Sequence, residues 1–222
     1  KHTFSPDELW FVDDMFTLNR RWVMDFCDQM KKQRIDVPFY LIGRAENLDM
    51  SMVQALKEAG CYRIYLSAES GSQAILDAMR KDTQLSEIEA CADRLHKAGI
   101  ELGIFVMLGY PGERLPDVLA THQMIQRLNP AIALLSVAHP MKGTAFYSQV
   151  QEKIQGSYGG RLLFQMEYSA AFYQHAQQMI WAERRMKQNF QEGYFTKALW
   201  NGLKFGMHRT QLQLSGAVNG TV

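Results

Sequence analysis

Five short apolar runs set what this chain can fold into, because each stops abruptly and is followed by a helical pattern. They start near residues 9, 39, 63, 102 and 132. The third is the most telling. Tyr62-Arg63-Ile64-Tyr65-Leu66-Ser67-Ala68 gives way to Glu69-Ser70-Gly71-Ser72-Gln73, a set of polar groups that strand pairing does not use. Similar punctuation follows other runs, as Val12-Asp13-Asp14, Ile42-Gly43-Arg44 and Leu108-Gly109-Tyr110-Pro111-Gly112-Glu113. Each unit spans roughly 25 to 40 residues, the size of a strand–helix–strand crossover. Parallel neighbours require such crossovers, so the expected architecture is α/β with a parallel sheet. Five units fall short of a closed eight-stranded barrel, which leaves an open or partial barrel or a doubly wound sheet.

Local signals place the helices between these runs. Apolar residues recur at three- and four-residue steps after Asn19, through Trp22, Val23, Phe26 and Met30. Asp49 suits a helix N-cap between Leu48 and Val53, and Gly60 suits its left-handed stop. A short helix is expected over residues 73–80, with Thr83 capping the next, which stops at Gly99. Residues 102–108 are almost wholly apolar, as for a strand covered on both faces. A helix follows over 115–128, then the fifth run over 132–137. Beyond Gly160 the strand signals stop. Residues 169–191 and 196–204 read as helices, and the tail from 211 reads as loose. The aromatic residues of this part (Tyr168, Phe172, Tyr173, Trp181, Phe190, Tyr194, Phe195 and Trp200) are expected in the core.

The formal charge is +1, from 24 basic and 23 acidic residues. That balance gives no electrostatic reason to expect nucleic acid or an anionic membrane surface as the main partner. No apolar run is long enough to span a bilayer and no secretory signal opens the chain, so the expected setting is cytoplasmic. Cys27, Cys61 and Cys91 lie far apart, which suits neither a disulfide frame nor a metal cage, and they read as small buried hydrophobes. The chain starts at Lys1, nearly inside a strand, and is expected to continue upstream.

In a parallel α/β architecture the carboxyl ends of the strands share one face, so the polar groups that follow the runs gather round one opening. Ser70, Ser72 and Asp14 suit helix starts equally well. Glu69, directly after a buried strand, needs a partner, and an ion pair with Arg44 is the structural alternative to a ligand role. The turn from Gly109 to Glu113 either lets backbone approach a ligand or is a plain turn. Lys81 alternatively complements a helix C-terminus, and His139 is either an acid–base group or structural.

The blocks LWFVDDMFTLN, IGRAENLDMSMVQALKEAGCYRIYLSAESGSQAILDAMRKDT, ELGIFVMLGYPGE and LNPAIALLSVAHPMKGTAFY, as a set, resemble the radical S-adenosylmethionine enzymes. The resemblance is closest to the branch whose members often carry a cobalamin-binding domain ahead of the radical domain, and it covers about residues 5 to 150. It implies a partial parallel β/α barrel, with residues 9–140 as five of six strand–helix units and a helical C-terminal extension. The division expected is residues 1–155 for the barrel and 156–222 for the extension. The family's first loop carries cysteines spaced CxxxCxxC that hold a 4Fe-4S cluster, whose fourth iron binds S-adenosylmethionine. No such spacing occurs here, so no metal ligand is assigned and the chain is expected to be an N-terminally truncated core. In the family, an external electron donor reduces the cluster and S-adenosylmethionine is cleaved to a 5′-deoxyadenosyl radical.

Carried over by position, the resemblance implies that Glu69 and Ser70 contact the ribose or methionine portion of S-adenosylmethionine. Lys81 would pair with its carboxylate, and Arg44 would line the site or orient Glu69. Gly109 and Pro111 would bring backbone close to the adenine. Asp13, Asp14 and His139 would face a small-molecule substrate as candidate catalytic groups. The function implied is the S-adenosylmethionine-binding portion of a radical enzyme for methyl transfer, cyclisation or related carbon-centred chemistry. It would be inactive without the cysteine motif, and cobalamin would enter through an upstream domain. Two other readings stand beside it: a cluster-free, non-catalytic α/β module for a nucleotide-like ligand or scaffolding, and a metal-free barrel enzyme using Asp13 or Asp14 as a base with His139.

Overall fold

The computed structural model describes residues 4–13 and 15–219. Five parallel strands lie in sequence order in one sheet: β1 (Leu9–Trp10), β2 (Phe39–Gly43), β3 (Cys61–Glu69), β4 (Glu101–Leu108) and β5 (Ile132–Val137). The crossovers carry α1 (Arg20–Lys32), α2 (Met50–Glu58), α3 (Gln73–Ala78), α4 (Leu85–Lys97) and α5 (Leu115–Leu128). This is the expected partial β/α barrel. After β5 come α6 (Ala145–Val150), β6 (Ile154–Tyr158), β7 (Arg161–Phe164), α7 (Ala170–Gln191) and α8 (Phe195–Asn219). The chain forms two compact units, one of Lys1–Val106 with Ala120–Leu134, the other of Met107–Leu119 with Leu135–Val222.

In the first unit, strand alternation separates two environments. Phe39, Leu41, Ile64, Leu66 and Ala68 are buried, while Tyr40, Ile42, Tyr65, Ser67 and Glu69 are half-buried. Helices α2 and α4 pack on β3, bringing Leu56, Ile88 and Leu95 into the core. The half-buried side carries a row of rings, with Trp10 stacked on Tyr40 at 5.8 Å and Tyr65 on Phe105 at 5.3 Å. Gly103 makes room for that row, since a Cβ there would come within 2.4 Å of the Tyr65 ring.

The helix starts follow local chemistry. Asn19 accepts from Trp22 N at 3.1 Å and Asp49 from Met52 N at 2.9 Å, each satisfying a free N–H of a first turn. Gly60, at φ 100°, follows α2 in the backbone region that suits glycine. Helix α4 departs from expectation. Gln84 heads it, its N–H donating to Glu87, whereas the Thr83 hydroxyl donates to Lys81 O.

The second unit holds two further departures. Strands β6 and β7 form an antiparallel hairpin where only helices were expected, and the anticipated boundary after residue 155 falls inside β6. The signal is in the sequence: Gly159 and Gly160, both at positive φ, make a two-residue turn between Tyr158 and Arg161. Helix α8 also runs to Asn219, through the tail expected to be loose. Gly202, Gly206 and Gly216 lower its intrinsic helicity. Packing reverses the balance: Leu212 is fully buried, and Gly216 lets the helix approach Leu115 and Phe172. Tyr168, Phe172 and Tyr173 are buried as expected, but Phe190, Tyr194, Phe195 and Trp200 are exposed. Among the described residues no helix is long and apolar enough to cross a membrane.

Candidate functional site

The carboxyl end of β3 is built around a bulge. The pairing with β4 shifts register between Ser67 and Glu69, and Glu69 adopts φ 54°, a left-handed conformation rare outside glycine. Its carboxylate meets Lys81 Nζ at 2.9 Å. Lys81 itself sits between two more left-handed residues, Arg80 at φ 55° and Asp82 at φ 50°. Strain of roughly 1–3 kcal/mol per such residue persists only where surrounding contacts over-determine the backbone. Those contacts are visible. Arg44 donates to Lys81 O at 3.1 Å and to Thr83 Oγ1 at 3.4 Å, and Gln73 donates to Thr83 O while accepting from Leu85 N.

Glu69 therefore pairs with Lys81 rather than with Arg44, whose guanidinium pairs with Glu46. The Glu69 side chain is 13% exposed and that of Lys81 34%, so the pair stays within reach of solvent. Arg44, Ser67, Lys81 and Thr83 line a pocket of about 160 Å³ with Ile42, Gly43 and Ile88. Sites for whole drug-sized ligands run to roughly 300–1,000 Å³, so this one suits one end of a ligand.

Ser70 and Gly71 serve the turn itself. Ser70 is fully buried; its hydroxyl lies 3.2 Å from Thr121 Oγ1 and accepts from Ser72 N at 3.1 Å. Gly71 N donates to Thr121 Oγ1 at 2.9 Å, and a Cβ on Gly71 would stand 2.4 Å from Ala120 O. These contacts tie the end of β3 to α5. Thr121 was not anticipated, because nothing in a helical Leu-Ala-Thr-His run marks one hydroxyl as a partner. Asp13 is exposed, and Asp14 lies outside the described residues.

In the second unit, Gly109 takes φ 82° and its N–H donates to Glu113 Oε2 at 2.5 Å. A Cβ there would also be a tight fit, 3.0 Å from Met166 Sδ and 3.3 Å from Tyr173 Cζ. Pro111 is half-buried in the same turn. Glu113 was placed at the same opening from sequence but given no role, yet it is the most perturbed carboxyl described. Burial pushes it up to about 8, against the pull of the Gly109 N–H, and Asp117 adds to the rise. Its Oε1 is enclosed with no hydrogen-bond partner among the described residues, a cost of about 1–3 kcal/mol. Burial, then the nearby Glu113, raises the Tyr173 phenol. His139 is half-buried with Nδ1 3.4 Å from Val137 O.

The model of the Radical SAM superfamily matches residues 6–125, more than half of the chain. The chain belongs to this superfamily. An uncharacterized methyltransferase of Pyrococcus horikoshii is 29% identical over 147 residues, covering 66% of this chain and 32% of that protein. The bacteriochlorophyllide d C-12(1)-methyltransferase of Chlorobaculum tepidum is 21% identical over 154 residues, covering 65% and 32%. The chain thus spans about a third of the length of these relatives. Among solved structures, the radical S-adenosylmethionine methyltransferase TsrM from Kitasatospora setae, with cobalamin and a 4Fe-4S cluster bound, matches at TM-score 0.60 and 15% identity over 69% of this chain and 32% of that one. The cobalamin-dependent S-adenosylmethionine radical enzyme OxsB matches at TM-score 0.63 and 14% identity over 96% and 39%. These likenesses extend the agreement in fold.

The radical SAM family uses a 4Fe-4S cluster, and the described cysteines do not fit one. Cys27, Cys61 and Cys91 are buried, and burial pushes their thiols up to about 11, 12 and 11, far from the thiolate form that ligates iron. Among the described residues no three His, Cys, Asp or Glu side chains are placed to hold a metal ion. S-Adenosylmethionine is a better match. An ammonium and a carboxylate, facing each other beside a small pocket, complement the carboxylate and amino groups of its amino-acid end.

Proposed function

We propose that this radical SAM chain is the S-adenosylmethionine-binding portion of an enzyme for radical methyl transfer, cyclisation or related carbon-centred chemistry on a small molecule. The observation that carries the proposal is the Glu69–Lys81 pair, displayed by three left-handed residues beside a pocket. Lys81 exchanges Glu69 for the ligand carboxylate, and the freed Glu69 accepts from the ligand's amino group or ribose hydroxyls. Arg44 and Thr83 hold the Lys81 backbone, and Ser70 holds the turn that aims Glu69. Gly109 and Pro111 offer backbone to the adenine, while Asp13 and His139 are assigned to the substrate. When bound, S-adenosylmethionine supplies the carbon-centred radical chemistry of the family; these residues bind and orient it. Cobalamin use, supported by the TsrM and OxsB likenesses, belongs to the same proposal.

Isothermal titration with S-adenosylmethionine tests the reading. Glu69→Ala and Lys81→Ala are each expected to weaken binding by at least about tenfold, the loss of one charge-assisted contact, with the folded circular-dichroism spectrum retained. Unchanged affinity in both variants would sink it. A second reading is the cluster-free, non-catalytic module for a nucleotide-like ligand or scaffolding; it predicts no S-adenosylmethionine cleavage by the full-length protein under reducing, oxygen-free conditions, where the first reading predicts cleavage.

A further inference from the structure

We infer that the hairpin of α7 and α8 docks on an anionic phospholipid surface, with α8 lying along the bilayer and a basic cleft beside it taking a headgroup phosphate. The two sides of α8 carry different loads. Ala198, His208 and Leu212 are buried on the inner side, and α7 is the helix's principal neighbour. On the outer side Phe195, Leu199, Leu203 and Met207 recur at four-residue steps, which places them along one stripe. All four stay exposed, from 52% to 72%, and exposed Trp200 and Leu214 extend the same face. Single exposed apolar residues are ordinary on a protein surface. Six large ones on one face of one helix form a contiguous patch, the mark of an interaction site.

The charges around the stripe identify the partner. Helix α8 holds Lys197, Lys204 and Arg209 and no acidic residue, an imbalance hidden by the near-neutral charge of the whole chain. Lys197 Nζ lies 4.7 Å over the Tyr194 ring and Lys204 Nζ 5.3 Å over the Trp200 ring, so both ammonium groups are held against exposed aromatics. That is the make-up of an interfacial helix: cations and aromatic rings meet the headgroups while leucine and phenylalanine enter the acyl boundary. Beside the stripe, α7 and α8 form a cleft of about 480 Å³ where Arg185, Lys204 and His208 converge with Trp181, and no acidic residue lines it. Met207 belongs to both the cleft and the stripe, so a headgroup held in the cleft adjoins apolar surface for its acyl chains. A second copy is a poorer occupant, because α8 packed on α8 would oppose cations with no carboxylate to receive them. Nucleic acid would use the cations but not the exposed leucines.

The test is flotation of the whole chain with vesicles of phosphatidylcholine alone, or of phosphatidylcholine and phosphatidylglycerol at about three to one. The chain is expected to float with the anionic vesicles, to ignore the neutral ones, and to be released as salt rises. Lys204→Gln should weaken binding about fivefold, the loss of one charge near the surface. Leu203→Asp should weaken it at least about tenfold, because a carboxylate cannot enter the acyl boundary. Leu203 is exposed, so the folded circular-dichroism spectrum should persist; Leu199→Asp repeats the test at a second exposed position if it does not. Equal binding to neutral vesicles, no binding to anionic ones, or wild-type binding by Lys204→Gln or by a folded aspartate variant overturns the inference. Binding of glycerol phosphate or of an RNA oligonucleotide without vesicle binding gives the cleft to a free anion or to nucleic acid. A dimer that Leu203→Asp dissolves, again without vesicle binding, gives the stripe to a second copy. Each of these results also overturns the inference, and none bears on S-adenosylmethionine binding.

Discussion

Gly71 and Gly206 carry the same side chain, yet adding a methyl group should move stability in opposite directions. At Gly71 the new carbon would lie 2.4 Å from Ala120 O, a backbone atom that cannot swing aside. Gly71→Ala is expected to destabilise by roughly 1–3 kcal/mol, read as a lower urea midpoint. Gly206 lies inside α8 with open space around it, and Gly206→Ala should raise stability by about 0.5–1 kcal/mol. Glu113 adds a prediction in pH. Its folded pKa of about 8 lies above the ordinary value of 4.5, so between these limits the native state holds a proton that the unfolded chain has released. Stability therefore falls as pH rises from about 5 to 8 and levels off beyond. Glu113→Gln should flatten that slope, which for one group is at most about 1.4 kcal/mol per pH unit in urea titrations. None of this was legible from residue type. Nothing in a Gly-Tyr-Pro-Gly-Glu run marks the glutamate as buried, and Tyr173, close enough to feel its charge, lies sixty positions along the chain.

Elements were legible where their signals are local. Asp49 accepts the N–H expected of an N-cap, and Asn19 and Ser169, where helical patterns were read to begin, do the same, because a cap needs only its own first turn. The bounds of α5 and β5 also follow from hydrophobic pattern and a flanking proline. Elements held by distant packing were harder to read. Helix α8 contains glycines that argue against it, and α7 with Leu115 supplies the burial that outweighs them. Leu212→Ala, which empties a fully buried position, is expected to cost roughly 2–5 kcal/mol and to lower the thermal midpoint of helical circular dichroism. The β6–β7 hairpin is a different case: its Gly-Gly turn was readable, but the flanking strands alternate too weakly to stand out, with four of five β6 residues exposed.

At the scale of the molecule, strand order followed from alternation alone. A chain that repeats strand and helix at crossover length has few ways to place its strands except side by side and parallel. The candidate site was half legible by the same logic. Strand ends brought Glu69 and Arg44 to one end of the sheet and the family resemblance added Lys81, but the choice of partners depended on a bulge and a strained loop that no propensity foretells. The cysteines offer a global check. Native protein at pH 8 should leave all three thiols unreactive toward a disulfide reagent, since burial holds them protonated to about pH 11 or above, and urea should expose all three together. Early labelling of one cysteine would show that its surroundings open without the rest.

The twisted segment from Arg80 to Asp82 also bears on how such a chain could be engineered. Swapping either flanking residue for glycine would relieve conformational tension and tempt a designer seeking heat tolerance. The same exchange would let the lysine tip wander, so a sturdier protein would be obtained at the expense of its hold on whatever anion it meets.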